Sequence, residues 1–152
     1  MKIDLNDLTT EQQVRYLRVK EMSMDDLHKI EPKWAVGENQ TKCSEPKFLQ
    51  DSDYSIIELN LSKLISATNF IGLNPNELIT DDSNDFRYVK IIERWEKGLF
   101  IDPPSVYMKN NDDKVIISDG RHRTIAAYLT GAQIIPVAVH KSFNIDRMEH
   151  LR

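Results

Sequence analysis

The pattern of apolar and polar residues along the chain predicts where helices and strands lie. Between residues 5 and 30 the apolar positions recur roughly every 3.6 residues, which is typical of a helix. These positions are Val14, Leu17, Val19, Met22, Met24 and Leu27. Thr9 or Thr10 is placed to cap this helix. From residue 31 to residue 53 the pattern ends among prolines, a glycine and charges, which predicts a linker.

The pattern after residue 53 predicts an α+β fold with a mixed sheet. A strand over 54–61 precedes a short helix over 62–67, and an amphipathic helix over 85–97 ends at Gly98. Two strands, 105–108 and 114–117, flank a polar turn and predict a hairpin. A helix over 121–130 ends at Gly131 and leads to an apolar strand over 134–139. We expect a βαβ unit here, with its last strand parallel to the one before.

These elements predict three segments along the chain. Residues 1–53 form an N-terminal helical extension and linker, residues 54–145 form the α+β domain, and residues 146–152 form a tail.

Composition and charge restrict the class of protein. The chain has 152 residues, of which 40% are hydrophobic and 29% charged, as in globular proteins. There is no apolar run long enough to span a membrane and no secretory signal, and the single cysteine, Cys43, cannot form an internal disulfide. We therefore expect a cytoplasmic protein. Its net charge is −4 and no basic stripe is visible, which disfavours extended DNA binding.

The residues that suggest chemistry lie where a predicted strand turns into a helix. The first turn of a helix exposes unpaired N–H groups and a partial positive charge, so cations there are unfavourable. This chain nevertheless places Arg121 and Arg123 in that turn, with His122 between them. A bound anion reverses the balance, because the N–H groups and the guanidinium groups would all stabilise it. Gly120 lets such a ligand approach the backbone.

A purely structural interpretation of the same residues is also open. Asp119 would then be the helix N-cap, Gly120 a turn residue, and the arginines solvated or paired with carboxylates. His122 falls on the same face as Ile125 and Leu129, so it would be a packed histidine with its hydrogen bonds satisfied.

The segment from Ile117 to Val139 resembles the signature of the ParB/sulfiredoxin superfamily. That signature is a strand, a glycine-and-arginine turn, an Ala-Ala helix ending in glycine, and an Ile-Pro-Val strand. The resemblance extends more loosely upstream to Tyr54 and covers roughly residues 54–140. It implies nucleotide binding, in which the turn holds the phosphates of ATP or CTP, with or without Mg²⁺.

The resemblance carries over to this chain residue by residue. Gly120, His122 and Arg123 occupy matching places in the phosphate-binding turn, with Thr124 following and Arg121 where other members vary. The sulfiredoxin branch has its catalytic cysteine at the place of Arg121, so sulfiredoxin reductase chemistry is excluded. The partition-protein branch adds a helix-turn-helix, for which we expect no room before residue 152. Sequence-specific DNA binding of that kind is therefore not expected.

A third branch phosphorylates free serine and has a turn similar to that of this chain. Asp119, Gly120 and Arg123 fit its pattern, but Arg121 replaces a histidine, and residues 65–69 lack the glutamate that this branch uses. Asp119 is the candidate catalytic residue and a candidate Mg²⁺ contact.

The sequence thus predicts a ParB-like protein that binds nucleoside triphosphate through residues 120–124. Hydrolase, nuclease or phosphotransferase activity is left open. The alternative is a non-catalytic accessory module of a plasmid, phage or toxin-related system, which would bind a protein partner through the N-terminal helical extension.

Overall fold

The computed structural model describes residues 2–42, 53–82 and 84–152. Cys43 and the second half of the predicted linker lie outside these residues. The described chain contains five α-helices and four strands. In chain order they are α1 (Thr10–Lys20), α2 (Met24–His28), β1 (Tyr54–Asn60), α3 (Leu61–Ala67), α4 (Phe86–Glu96), β2 (Ser105–Met108), β3 (Val115–Asp119), α5 (Arg121–Leu129) and β4 (Ile134–His140). Short 3₁₀ helices occur at Leu5–Asp7, Gly37–Lys42 and Ile145–Leu151.

The four strands form one mixed sheet in the order β1-β4-β2-β3. β1 runs antiparallel to β4, and β2 runs antiparallel to β3 as the predicted hairpin. β2 and β4 are parallel, with Ser105 opposite Ala138. The predicted α+β class with a mixed sheet is therefore confirmed.

The predicted βαβ unit is wrong. β4 lies beside β2 rather than beside β3, and because β2 is antiparallel to β3, β4 also runs opposite to β3. The reason is burial: β4 buries five consecutive residues, from Ile135 to Val139, and such a strand belongs in the interior of a sheet. The hairpin with β2 leaves β3 at the sheet edge.

The N-terminal region also differs from the single apolar stripe that the sequence predicts. α1 ends at Lys20, and Ser23 caps a separate helix, α2, so the helical period is interrupted. Val14 is 63% exposed and Met24 is 51% exposed, whereas Tyr16, Val19 and Leu27 are buried. Thr9 is the N-cap of α1, as one of the two predicted alternatives, and forms a capping box with Gln12.

One hydrophobic cluster joins the three predicted segments. Tyr16 and Leu27 from the N-terminal region pack in the same cluster as the strand residues, and Met148 and Leu151 from the C-terminal tail belong to it as well. α1 is further attached to α4 by Arg15, which donates three hydrogen bonds to the Glu93 carboxylate, two to Oε1 and one to Oε2, at 2.6–3.1 Å. This pairing attaches α1 to one side of α4, and α4 also packs against α5. In the part of the chain that the structure describes, no helix is long and apolar enough to cross a membrane.

Candidate functional site

The turn between β3 and α5 requires glycine. Gly120 has φ 96° and ψ 25°, a left-handed conformation that side chains disfavour. A Cβ built at this position would lie 2.8 Å from the Cβ of Pro104 and 2.6 Å from Nη2 of Arg123. Both the left-handed conformation and the closeness of Pro104 and Arg123 therefore disfavour any side chain at residue 120.

The first turn of α5 has no side-chain cap from the described residues. Asp119 is the last residue of β3, and Gly120 takes the N-cap position, so Asp119 is not the N-cap. The backbone N–H of Thr124 already donates to the Gly120 carbonyl at 3.0 Å, and the Thr124 hydroxyl donates to the same oxygen at 2.9 Å. The N–H groups of residues 121–123 belong to the part of a helix that has no acceptor within the helix itself.

Arg123 packs against Gly120 and is incompletely hydrogen bonded. Its side chain is only 16% exposed, and its Nη2 lies 3.2 Å from Oδ2 of Asp119. This is an ion pair without hydrogen-bond geometry, because neither Nε nor Nη2 has a hydrogen-bond partner among the described residues. Buried guanidinium nitrogens without acceptors are costly, and an oxyanion that reached them would supply the missing acceptors.

His122 is buried, as the structural interpretation predicted, but its hydrogen bonds are not satisfied. The residue is 8% exposed, and its ring centre lies 4.8 Å from that of Tyr88 on α4. Its Nε2 has no hydrogen-bond partner within the described residues. Burial, together with the positive charges of Arg87 and Arg121, lowers the pKa of His122 to about 4. The imidazole is therefore neutral at pH 7.

These residues line a cleft of about 660 Å³ between the β3–α5 turn and α4. Five of its lining side chains in the described structure are lysine or arginine, in a chain whose net charge is −4. The cleft residues are Arg87, Lys90, Ile91, Arg94, Ile101, Ser118, Asp119, Gly120, Arg121, His122 and Arg123. Thr124 is fully buried and is not among them.

The structure brings five of the six predicted site residues together and adds three that the sequence analysis missed. Arg87, Lys90 and Arg94 lie on α4 at spacings of three and four residues, which places them on one face of the helix. The spacing could have predicted a basic face on this helix from the sequence. Only the folded chain shows that this face lies across the cleft from the β3–α5 turn.

The start of α4 is held by a buried carboxylate. Asp85 Oδ2 accepts the backbone N–H groups of Thr80 at 2.8 Å and Asp82 at 3.0 Å. Burial raises the pKa of Asp85. The other end of the basic face is held by Arg94, whose Nη2 donates to the carbonyl of Phe100 at 3.0 Å. The α4 wall of the cleft is therefore fixed at both ends.

Asp119 is the one carboxylate among the described residues that line the cleft, and it is 52% exposed. Across residues 2–42, 53–82 and 84–152, no group of three or more His, Cys, Asp or Glu side chains is arranged to hold a metal. A Mg²⁺ ion would have to share Asp119 with the oxygens of a bound phosphate, so the Mg²⁺ contact stays a prediction.

The fold and the site together define an α+β protein with a cationic cleft at the N-terminus of a helix. The sequence matches no protein-family model and no curated protein, and the fold matches no solved structure.

Proposed function

We propose that this protein binds the phosphate groups of a nucleotide in the cleft between α4 and the β3–α5 turn. The observation that carries the proposal is the uncapped first turn of α5, which faces a cleft with five basic side chains. ATP and CTP are the nucleotides that the ParB/sulfiredoxin resemblance implies, and a cleft of about 660 Å³ lies within the usual range of ligand pockets.

The charges in the first turn of α5 support an anionic ligand. Arg121 and Arg123 each lie in the first turn of α5, where a cation costs about 0.3–1 kcal/mol at an exposed site. Asp119 offsets this cost for Arg123 alone. A phosphate at the turn would accept hydrogen bonds from the backbone N–H groups and from both arginines.

Turnover is a further part of the proposal. Phosphoryl transfer or hydrolysis requires the phosphates to be positioned and their charge to be neutralised, which the basic side chains would do. Asp119 would be the catalytic carboxylate or would help to hold Mg²⁺ beside the phosphates. His122 would be neutral at pH 7. Its Nε2 would donate a hydrogen bond to a phosphate oxygen in one tautomer and accept one from a protonated phosphate oxygen in the other.

Thermal unfolding with ATP, CTP, GTP and inorganic phosphate, each with and without Mg²⁺, tests binding. A ligand at about 100 times its Kd should add ~2.7 kcal/mol of stability. For a chain of this size that corresponds to an increase in Tm of roughly 5–10 °C. Arg123→Gln should abolish the increase in Tm. The matched control Arg152→Gln should retain it, because Arg152 lies outside the cleft lining in an exposed pair with Glu149.

The result decides the proposal directly. A Tm increase that is selective for one nucleotide and absent in Arg123→Gln supports it. If no nucleotide changes the Tm of the native protein, the proposal is wrong.

A second candidate function is contact with a protein partner through the N-terminal helical extension. It is favoured by one observation, which is that α1 exposes Val14 and Leu17 three positions apart on its surface. Nucleotide binding that is unaffected in a Val14→Ser/Leu17→Ser double variant would separate the two functions. If Arg123→Gln leaves the nucleotide response unchanged, the nucleotide binds elsewhere than at the β3–α5 turn. If the native protein shows no nucleotide response, this second candidate is favoured over the first.

A further inference from the structure

The basic face of α4 has a regular spacing. Arg87, Lys90 and Arg94 are separated by three and four residues, so they lie within one narrow strip of the helix surface. At a rise of 1.5 Å per residue, the strip is about 10.5 Å long. It borders the same cleft as the first turn of α5.

The acidic residues of α4 show that these cations are not part of the pairing between α4 and α1. Glu93 binds Arg15, and Glu96 binds Arg18, so both acidic residues in the second half of α4 are used by α1. Arg87 and Lys90 are exposed and form no ion pair with the described residues. The helix therefore has acidic residues paired with α1 and a cationic face on the cleft, of which Arg87 and Lys90 have no ion-pair partner in the part of the chain that the structure describes.

The charges in the cleft exceed what a single phosphate group neutralises. Five basic side chains face one carboxylate, Asp119, within the described lining, and that carboxylate is already paired with Arg123. A phosphate monoester carries a charge of about −1.5 to −2 at pH 7. The turn of α5, with Arg121 and Arg123, is sufficient for one such group. The cations of α4 are then left for further phosphates of the same ligand.

We propose that the α4 face is a second phosphate subsite, which binds the distal phosphates of a nucleoside di- or triphosphate through Arg87 and Lys90 and does so without a metal ion. The inference rests on the proposed nucleotide binding and names the ligand class. Guanidinium and ammonium groups supply the neutralisation that a divalent cation supplies where carboxylates line the site. Arg94, anchored to the Phe100 carbonyl, closes the end of the strip.

Isothermal titration calorimetry in buffer with EDTA tests the inference. AMP, ADP and ATP are titrated into the native protein, and the cytidine series replaces them if CTP gives the larger Tm increase. We expect the affinity to rise about tenfold or more for each added phosphate, because each gains hydrogen bonds to a charged side chain. Inorganic tripolyphosphate should bind more tightly than inorganic phosphate by a similar factor.

Variants of α4 assign this gain to the proposed subsite. In Arg87→Gln/Lys90→Gln, the affinity for ATP should fall to near that for AMP, while the affinity for AMP changes less than threefold. The matched control is Lys97→Gln/Arg152→Gln, which removes the same charge outside the cleft lining. It should leave the ATP to AMP ratio unchanged.

Four results would overturn the inference while leaving nucleotide binding intact. These are equal affinities for AMP and ATP, a loss of AMP affinity as large as that of ATP in the α4 variant, a preference for ATP that appears only with Mg²⁺, and tighter binding of a short single-stranded DNA than of ATP. If AMP, ADP, ATP and their cytidine counterparts all fail to bind with or without Mg²⁺, the proposed function itself is wrong.

Discussion

Replacing Gly120 with alanine perturbs the β3–α5 turn at the point where it is most tightly packed. With the backbone in place, the new methyl group would lie 2.8 Å from Pro104 Cβ and 2.6 Å from Arg123 Nη2. The flexible guanidinium of Arg123 can move away, but the buried ring of Pro104 is fixed. The substitution should therefore shift the turn and displace Arg123 from it.

The expected loss of stability has two parts. A side chain in the left-handed conformation costs about 1–2 kcal/mol, and overpacking against Pro104 costs about 1–3 kcal/mol. The free energy of unfolding should thus fall by about 2–5 kcal/mol, which lowers the Tm by roughly 4–20 °C for a chain of this size.

Gly72→Ala is the matched control for this prediction. Gly72 has φ 74°, also left-handed, but no described atom lies within 4 Å of a Cβ built there. It should lose only the conformational part, so the difference between the two variants measures the packing at Gly120. Urea unfolding followed by circular dichroism gives both free energies. Equal losses in the two variants would refute the packing described for the turn.

Three further predictions concern the surroundings of the cleft and the attachment of the N-terminal helices. Because the pKa of His122 is about 4 in the folded protein and near 6.5 when unfolded, the unfolded chain binds the extra proton first as the pH falls. Lowering the pH from 7.5 to 5 should therefore reduce the free energy of unfolding by about 2 kcal/mol through His122. Urea titrations at the two pH values should show a smaller pH dependence of this free energy in His122→Phe than in the native protein. An equal pH dependence in the two proteins would contradict the assignment of a lowered pKa to His122. Tyr16→Phe removes the hydrogen bond from the buried Tyr16 hydroxyl to Asp81 Oδ1 at 2.9 Å, and urea unfolding should show a loss of about 1–2 kcal/mol; no measurable loss would argue against this contact. Glu93→Gln weakens the ion pair with Arg15 and should lower the free energy of unfolding by about 1 kcal/mol at low salt. The loss should be smaller in 1 M NaCl. A loss that does not depend on salt would contradict an ionic contribution from this pair.

The elements near the predicted site follow from local signals in the sequence. Gly98 and Gly131 were predicted to end helices, and both have positive φ, at 72° and 85°. The predicted strand over 105–108 has the same first and last residues as β2, and the predicted helix begins at Arg121, as α5 does. These signals are local because glycine conformation and hydrophobic period depend on a few neighbouring residues.

The features that could not be predicted depend on contacts distant in sequence. The order of the strands is set by which of them bury both faces, and this placed β4 beside β2. The burial of His122 depends on Tyr88, which is 34 positions away in the sequence. The basic face of α4 was present as a pattern, but its relevance depends on the packing of α4 against α5.

An NMR titration of the uniformly ¹⁵N-labelled protein with ATP and with CTP tests the central claim most directly, because it locates the ligand as well as detecting it. Phosphate binding at the first turn of α5 predicts the largest changes in amide chemical shift at residues 120–123, with smaller changes along the cleft-facing positions of α4. Residues of β1, on the far edge of the sheet from β3, should change little. Saturating changes confined to other parts of the molecule, or no changes with either nucleotide, would contradict the assignment of this cleft as a nucleotide phosphate site.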